Sequence, residues 1–159
     1  MHEGSPAPVG FAPEEIDTAA PTRAARLKWV VVVNADLPAG RAVNAAVCVA
    51  GATVAGVAGL LGPDAVDSAG TTHPGLPWAG CTVLLADAAT LGTIRAKGEA
   101  HEGTFVADMP AAAQATRVYD EYLSQLGAAA PDDLEYLAVS LVGPKNRIDK
   151  IVGRLPLMP

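Results

Sequence analysis

The chain has 159 residues, a length that suits one domain whose core needs no disulfide or metal staple. Half of the residues are hydrophobic and 18% are charged, which excludes an intrinsically disordered chain. Eleven Lys and Arg stand against 17 Asp and Glu, giving a formal net charge of −6, so the broad basic footprint of a nucleic-acid binder is missing from the sequence.

Residues 1–26 carry Pro6, Pro8, Pro13 and Pro21 and read as an irregular lead segment. Phe11 and Ile16 are its candidate anchors, with a short turn at Pro13-Glu14-Glu15-Ile16. The first residues hold an acidic Glu3 and neither a basic nor an apolar stretch, so they do not read as a signal peptide. An α/β domain is expected over 27–159. Trp29-Val30-Val31-Val32-Val33 predicts a strand buried on both faces. A loop from Asn34 to Gly40 follows, then a helix from about Arg41. Its apolar stripe, Val43, Val47, Ala50, Val54, Val57 and Leu61, is expected to face the core. Gly51, Ala55 and Gly59 recur every four residues and predict a strip of small residues for close packing. Ala42 to Pro63 is uncharged and long enough to span a bilayer. Its Ala, Gly and Val content, and the lack of anchoring flanks, predict instead a buried helix in a cytoplasmic protein, with no membrane partner.

Gly62 to Gly80 is a long connection containing Pro63, Pro74 and Pro77. A second strand is predicted over Cys81–Ala86, then a helix capped by Asp87, carrying Leu91 and Ile94 and ending near Gly98. A third strand covers Thr104–Ala107 and ends at Asp108. Pro110 opens a predicted helix whose buried stripe is Ala115, Val118, Tyr122 and Leu126. A fourth strand covers Leu134–Val142. Gly143-Pro144 turns the chain, Asn146 caps a short helix over Arg147–Val152, and Leu155-Pro156-Leu157 forms an edge segment. This alternation predicts a three-layer α/β/α domain with a mixed, mostly parallel sheet of four to five strands. Cys48 and Cys81 both lie in apolar stretches and read as buried free thiols.

Candidate chemistry gathers at the carboxyl edge of that sheet. Asp36, Gly40 and Arg41 lie where the first strand feeds a helix start, whose free N–H groups and fixed charge suit an anionic or carbonyl-bearing ligand. Asp108 ends the third strand at the same edge, where a carboxylate can orient a water or a substrate N–H. Ser68, His73 and nearby aspartates crowd one loop, which reads as a polar lid rather than a catalytic triad. Lys145, Arg147, Lys150 and Arg154 form a basic run that reads as a solvated helix face. Gly56, Gly59 and Gly62 follow a helix rather than a strand, which is the wrong context for a dinucleotide fingerprint. No His/Cys/Asp cluster has metal-ligand spacing, so neither metal nor cofactor is expected.

The order Lys28-Trp29-Val30-Val31-Val32-Val33-Asn34-Ala35-Asp36-Leu37, then Gly40-Arg41-Ala42-Val43-Asn44-Ala45-Ala46, resembles the opening of the peptidyl-tRNA hydrolase II superfamily. Gly143-Pro144 followed by Ile148-Asp149-Lys150-Ile151-Val152-Gly153-Arg154-Leu155 is similar to its C-terminal turn, helix and edge strand. His73-Pro74-Gly75-Leu76-Pro77-Trp78-Ala79-Gly80-Cys81 and Arg117-Val118-Tyr119-Asp120-Glu121-Tyr122 look like an uncharacterised bacterial branch of it, a domain of unknown function. The resemblance implies a homodimer, a catalytic lysine at the helix start and an aspartate after a later strand. Arg41 stands at the lysine position, Asn44 at a glutamine position, and Asp108 matches the aspartate in chain order. An arginine cannot take a proton as a lysine can, but it can bind an anion or polarise a carbonyl.

Two functions are therefore expected of one edge. The first is binding of a small anionic or amide-bearing ligand by Asp36, Gly40, Arg41, Asn44 and His73, with Asp108 facing it. The second is hydrolysis of peptidyl-tRNA or a related acyl ester, Asp108 positioning the water and Arg41 stabilising the oxyanion. The acidic charge weighs against tRNA. A homodimer with the first helix at or near its interface is expected in either case.

Overall fold

The valine run forms the centre of the sheet. The structure is a computed structural model and describes residues 7–159. In chain order its elements are β1 (Leu27–Asn34), α1 (Ala39–Gly56), β2 (Ala65–Val66), β3 (Thr72–His73), β4 (Thr82–Ala86), α2 (Ala88–Glu99), β5 (Phe105–Pro110), α3 (Ala112–Ala115), α4 (Tyr119–Ala128), β6 (Tyr136–Pro144) and α5 (Lys145–Val152). The main sheet has the order β4-β1-β6-β5. β1 and β4 are parallel, because α1 returns the chain to the same end. β6 runs antiparallel between β1 and β5, placing Ser140 opposite Val31 and Val139 opposite Asp108. The four-stranded sheet is thus mixed as expected but not mostly parallel: it has one parallel pair and two antiparallel pairs, because β6 inserts antiparallel between β1 and β5. β1, β4 and β5 all point the same way, so their carboxyl ends share one edge.

Helices cover both faces, as the three-layer expectation requires. On one face Leu27, Trp29, Val31 and Val33 pack against Ala42, Ala45 and Val49 of α1. On the other, Val30, Val32 and Leu141 pack against Leu91 and Ile94 of α2 and Ile148 of α5. Period-two alternation along β1 serves two cores at once, which is why every position could be apolar. Among its described residues the lead segment forms no regular strand, and Phe11 pins it to the α1 face, 5% exposed. The predicted turn is present as a 3-10 turn over Pro13–Glu15, and Asp87 caps α2 by accepting from the Thr90 N–H at 2.7 Å. At the end of the chain, Pro156 accepts from the Leu85 N–H at 2.9 Å and the Met158 N–H donates to Val83 at 3.0 Å, closing the outer edge of β4. Among the described residues no strand pairs with the outer edge of β5.

A buried hydroxyl relay ties three elements together. The Trp29 indole N–H donates to Ser140 Oγ at 2.8 Å, Ser140 and Thr53 hydroxyls lie 2.7 Å apart, and Thr53 donates to the Val49 carbonyl at 2.6 Å. An indole N–H only donates and a carbonyl only accepts, so every proton in the relay is assigned.

Several expectations are corrected. The expected stripe along α1 is buried only at Val57, just past the helix end, and partly at Ala50. The inward face of α1 is Ala42, Ala45, Val49 and Thr53, while Val43, Val47 and Val54 are 54%, 63% and 36% exposed and Leu61 lies beyond the helix. Small residues turn inward because the sheet approaches closely. At Gly56 a β-carbon would come within 2.4 Å of the Phe105 ring. The helix therefore passes the length and composition test for a membrane span, packs on the sheet, and keeps most of its surface outside the core. The small-residue strip does not exist as such. Gly59 lies past the helix end at φ +75° beneath Phe11, and Gly51 faces open space. The long helix expected from Pro110 is two helices. Pro110 is still in β5, Thr116 and Val118 adopt extended backbone, and Val118 is 53% exposed. The connection after Gly62 holds the β2–β3 hairpin. Neither cysteine is a core thiol: Cys48 and Cys81 both reach the surface.

Candidate functional site

The carboxyl edge of the sheet carries the site. β5 brings Asp108 and Met109 there on successive positions, so their side chains leave on opposite faces. Met109 joins the α1 core. Asp108 meets α2, where Arg95 donates from Nε to Oδ2 at 2.8 Å. Arg95 also lies 5.4 Å from the centroid of the Tyr136 ring and 3.8 Å from Glu99. The Asp108 carboxylate raises the Arg95 pKa further above its usual value. Burial, and then the Asp108 charge, push the Tyr122 hydroxyl up. The same two causes act on Tyr136, partly opposed by Arg95.

Arg41 occupies the first turn of α1, on the other face of the same edge. Its partner is Gln114 of α3, not Asp108. Arg41 Nε donates to Gln114 Oε1 at 2.8 Å, and Gln114 Nε2 donates back to the Arg41 carbonyl at 3.0 Å. The same amide donates to Asn44 Oδ1 at 3.2 Å. Gln114 thus clamps α3 to the start of α1. The chain start of α1 has no side-chain cap, since Pro38 precedes it, so the first N–H groups around Gly40 stay available. Asp36 is exposed in the preceding turn, where its N–H donates to Asn34 Oδ1 at 2.9 Å.

A cleft of about 540 Å³ opens beside these groups, between α1, the end of β5 and the α3–α4 corner. Met109, Val118 and Tyr119 give it apolar walls; Asp108, Arg117 and Tyr122 give it polar ones. The Tyr119 and Tyr122 rings meet edge to face, 5.4 Å between centroids. Cys48 lines it from α1.

The structure therefore brings together Asp36, Gly40, Arg41 and Asn44 at one helix start, and sets Asp108 at the same edge beyond the Gln114 clamp. It does not bring His73 to them. That residue sits in the exposed β2–β3 hairpin, which follows α1 in the chain. His73 faces Asp67, with Nε2 and Oδ2 3.2 Å apart. Thr71, then His73, hold the Asp67 carboxyl below the usual carboxylate range. Sequence reasoning missed Arg95, Gln114, Arg117, Tyr119 and Cys48. Arg95 had a usable signal, since it falls one turn after Leu91 on a helix that must cover β5.

Residues 27–159 match the model of a family described as protein of unknown function (DUF2000). No curated protein matches the chain. Among solved structures, the protein of unknown function Atu0240 from Agrobacterium tumefaciens strain C58 superposes with a TM-score of 0.77 at 19% identity, covering 84% of this chain and 98% of that one. At that identity the likeness concerns the fold.

Proposed function

The chain belongs to the DUF2000 family of proteins of unknown function, and on that premise we propose that it is a binding domain for a small amide- or carboxylate-bearing molecule held in the cleft beside β5. The carrying observation is the cleft's composition: an apolar wall from Met109, Val118 and Tyr119 shared with a carboxylate, Asp108, and a guanidinium, Arg117. Asp108 accepts from an amide N–H, Arg117 donates to a carbonyl or carboxylate, and the rings cover the ligand's apolar body. Arg41, Asn44 and Gln114 hold the adjoining helix start in place. A thermal-shift panel of N-acyl amino acids tests this, run on the wild type and on Arg117→Ala and Asp108→Asn. A stabilising compound whose effect vanishes in either variant supports the reading, and identical responses from all three proteins overturn it.

The resemblance to the peptidyl-tRNA hydrolase II superfamily supports a second reading, hydrolysis of an acyl ester at this edge. Binding is favoured because Arg41 is held by Gln114 and does not line the cleft that Asp108 lines, so the carboxylate and the oxyanion donor do not face one volume. Incubation with peptidyl-tRNA decides between them. Peptide release above an Asp108→Ala control would replace binding by turnover.

Two copies are also proposed to pair through the outward face of α1. What supports this is its chemistry. Val43, Val47 and Val54 face outward, Arg41 is the single charge on an 18-residue helix, and Tyr119 (72%) and Leu123 (51%) lie exposed on α4. Exposed apolar side chains gathered on one helix face mark an interaction site.

A further inference from the structure

On the opposite face of the sheet, the last turn of α2 and the length of α5 flank a second, open cleft of about 470 Å³. Its lining is Lys97, His101, Asn146, Arg147, Lys150 and Ile151. Three cations and a histidine face one volume, and no carboxylate lines it, in a protein whose net charge is −6. Of the acids nearest in sequence, Asp149 pairs with Lys28 and Glu99 with Arg95, while Glu102 does not line the cleft. Among the described residues, Lys97, Arg147 and Lys150 form no ion pair with a carboxylate.

Helix electrostatics accounts for the basic groups of this cleft except Arg147. Lys97 and His101 lie at the carbonyl end of α2 and Lys150 in the last turn of α5, where positive charge is favoured. Arg147 lies in the first turn of α5, the N–H end, where a cation is disfavoured and acids are usual. That turn holds no acid and no side-chain cap. The fold therefore gathers like charges across a cleft and against a helix dipole, an arrangement that an anion relieves. One of the cations is also held in place. Arg147 Nη1 donates to the Glu102 carbonyl at 2.7 Å, fixing one corner of a guanidinium that has further donors to offer. Ile148, fully buried, and Ile151 seat α5 in the core and make the cleft floor rigid.

We propose that this cleft is a binding site for the phosphate group of a small phosphomonoester. A dianion answers three cations, and the donor set of Arg147, Lys97, Lys150 and the Asn146 amide suits its oxygens. The volume of this open cleft suits a small molecule. A long polyanion would meet the protein's overall negative field, whereas a compact one feels the local charges within about 8 Å at physiological salt.

Isothermal titration at low salt, with inorganic phosphate, adenosine 5′-monophosphate and a short single-stranded RNA as probes, tests the site. The variants are the exposed pair Lys97→Gln/Lys150→Gln, and Arg154→Gln, which lies outside the cleft lining. Circular dichroism confirms that each folds. The mononucleotide is expected to bind the wild type and the Arg154→Gln protein alike, and the double variant about tenfold more weakly. Inorganic phosphate should compete with it. No saturable binding of phosphate or mononucleotide to the wild type, equal binding by the double variant, or binding of the RNA alone would each overturn the proposal. None of these outcomes depends on the cleft beside β5.

Discussion

Replacing Ser140 by alanine breaks the relay that joins β1, β6 and α1 at its middle. Ser140 and Thr53 are fully buried and Trp29 is 6% exposed, so no solvent can take over the lost partner. Removing the hydroxyl leaves the indole N–H of Trp29 without an acceptor, which costs about 1–3 kcal/mol for a buried donor. Thr53 loses only an incoming bond and keeps its own to Val49. We expect a loss of about 2 kcal/mol, or roughly 4–8 °C in Tm for a domain of this size. Thr53→Val strands the Ser140 proton instead and should cost about 1–2 kcal/mol. In the Ser140→Ala background that proton no longer exists, so the two losses should fall short of additive by about 1 kcal/mol. Urea unfolding followed by tryptophan fluorescence measures all four proteins. A loss below about 0.5 kcal/mol for Ser140→Ala, or strict additivity, would show that the relay assigned here does not carry this load.

Both cysteines reach the surface but should separate chemically: desolvation by the protein packed around it pushes the Cys81 thiol up to about 12, so iodoacetamide at neutral pH should modify Cys48 first, and faster labelling of Cys81 would contradict that shift. A ligand seated in the cleft beside β5 should protect Cys48, as peptide mass analysis would reveal. The Arg26 guanidinium, then the Ala12 N–H, bring the Glu15 carboxyl down from 4.5 to about 2. Because the folded value is the lower one, the pair's hold on the lead segment is complete above pH 4.5 and lost as pH falls toward 2; an NMR midpoint near 4.5 would refute it. Val47→Glu places a charge in the outward face of α1 and should turn a dimer into a monomer by light scattering. A wild-type mass of 16.1 kDa at all concentrations would refute the pairing.

What the sequence made legible was whatever chemistry acts locally or through burial alone. An unbroken run from Trp29 to Val33 has no stable place except inside a sheet covered on both faces, and Asp87 caps α2 through an N–H three residues away. The facing of α1 was not legible, because hydrophobic periodicity points the larger valines inward. The sheet instead selects the alanines and Thr53, since close approach and a hydroxyl partner on β6 outweigh side-chain area. The site was half legible. Strand direction places Arg41 and Asp108 at one edge, but the face each side chain takes depends on β5 alternation and on which guanidinium α2 presents. Gln114 was hidden because a single long helix from Pro110 would have carried it elsewhere than the short α3 that clamps Arg41.

The position of β6 between β1 and β5 has a consequence for how the chain is made. Trp29 and its partner Ser140 are 111 residues apart, so β1 emerges from a ribosome long before the strand that completes it. Until then Val30 to Val33 can pair with β4 on one side only, and the other side is an apolar edge open to any passing strand. Pairing across so long a span closes a large loop before any contact rewards it, which slows folding and prolongs exposure of that edge. The last third of the chain thus decides when the central strand becomes safe from aggregation, and synthesis stalled before Tyr136 leaves β1 with one neighbour instead of two.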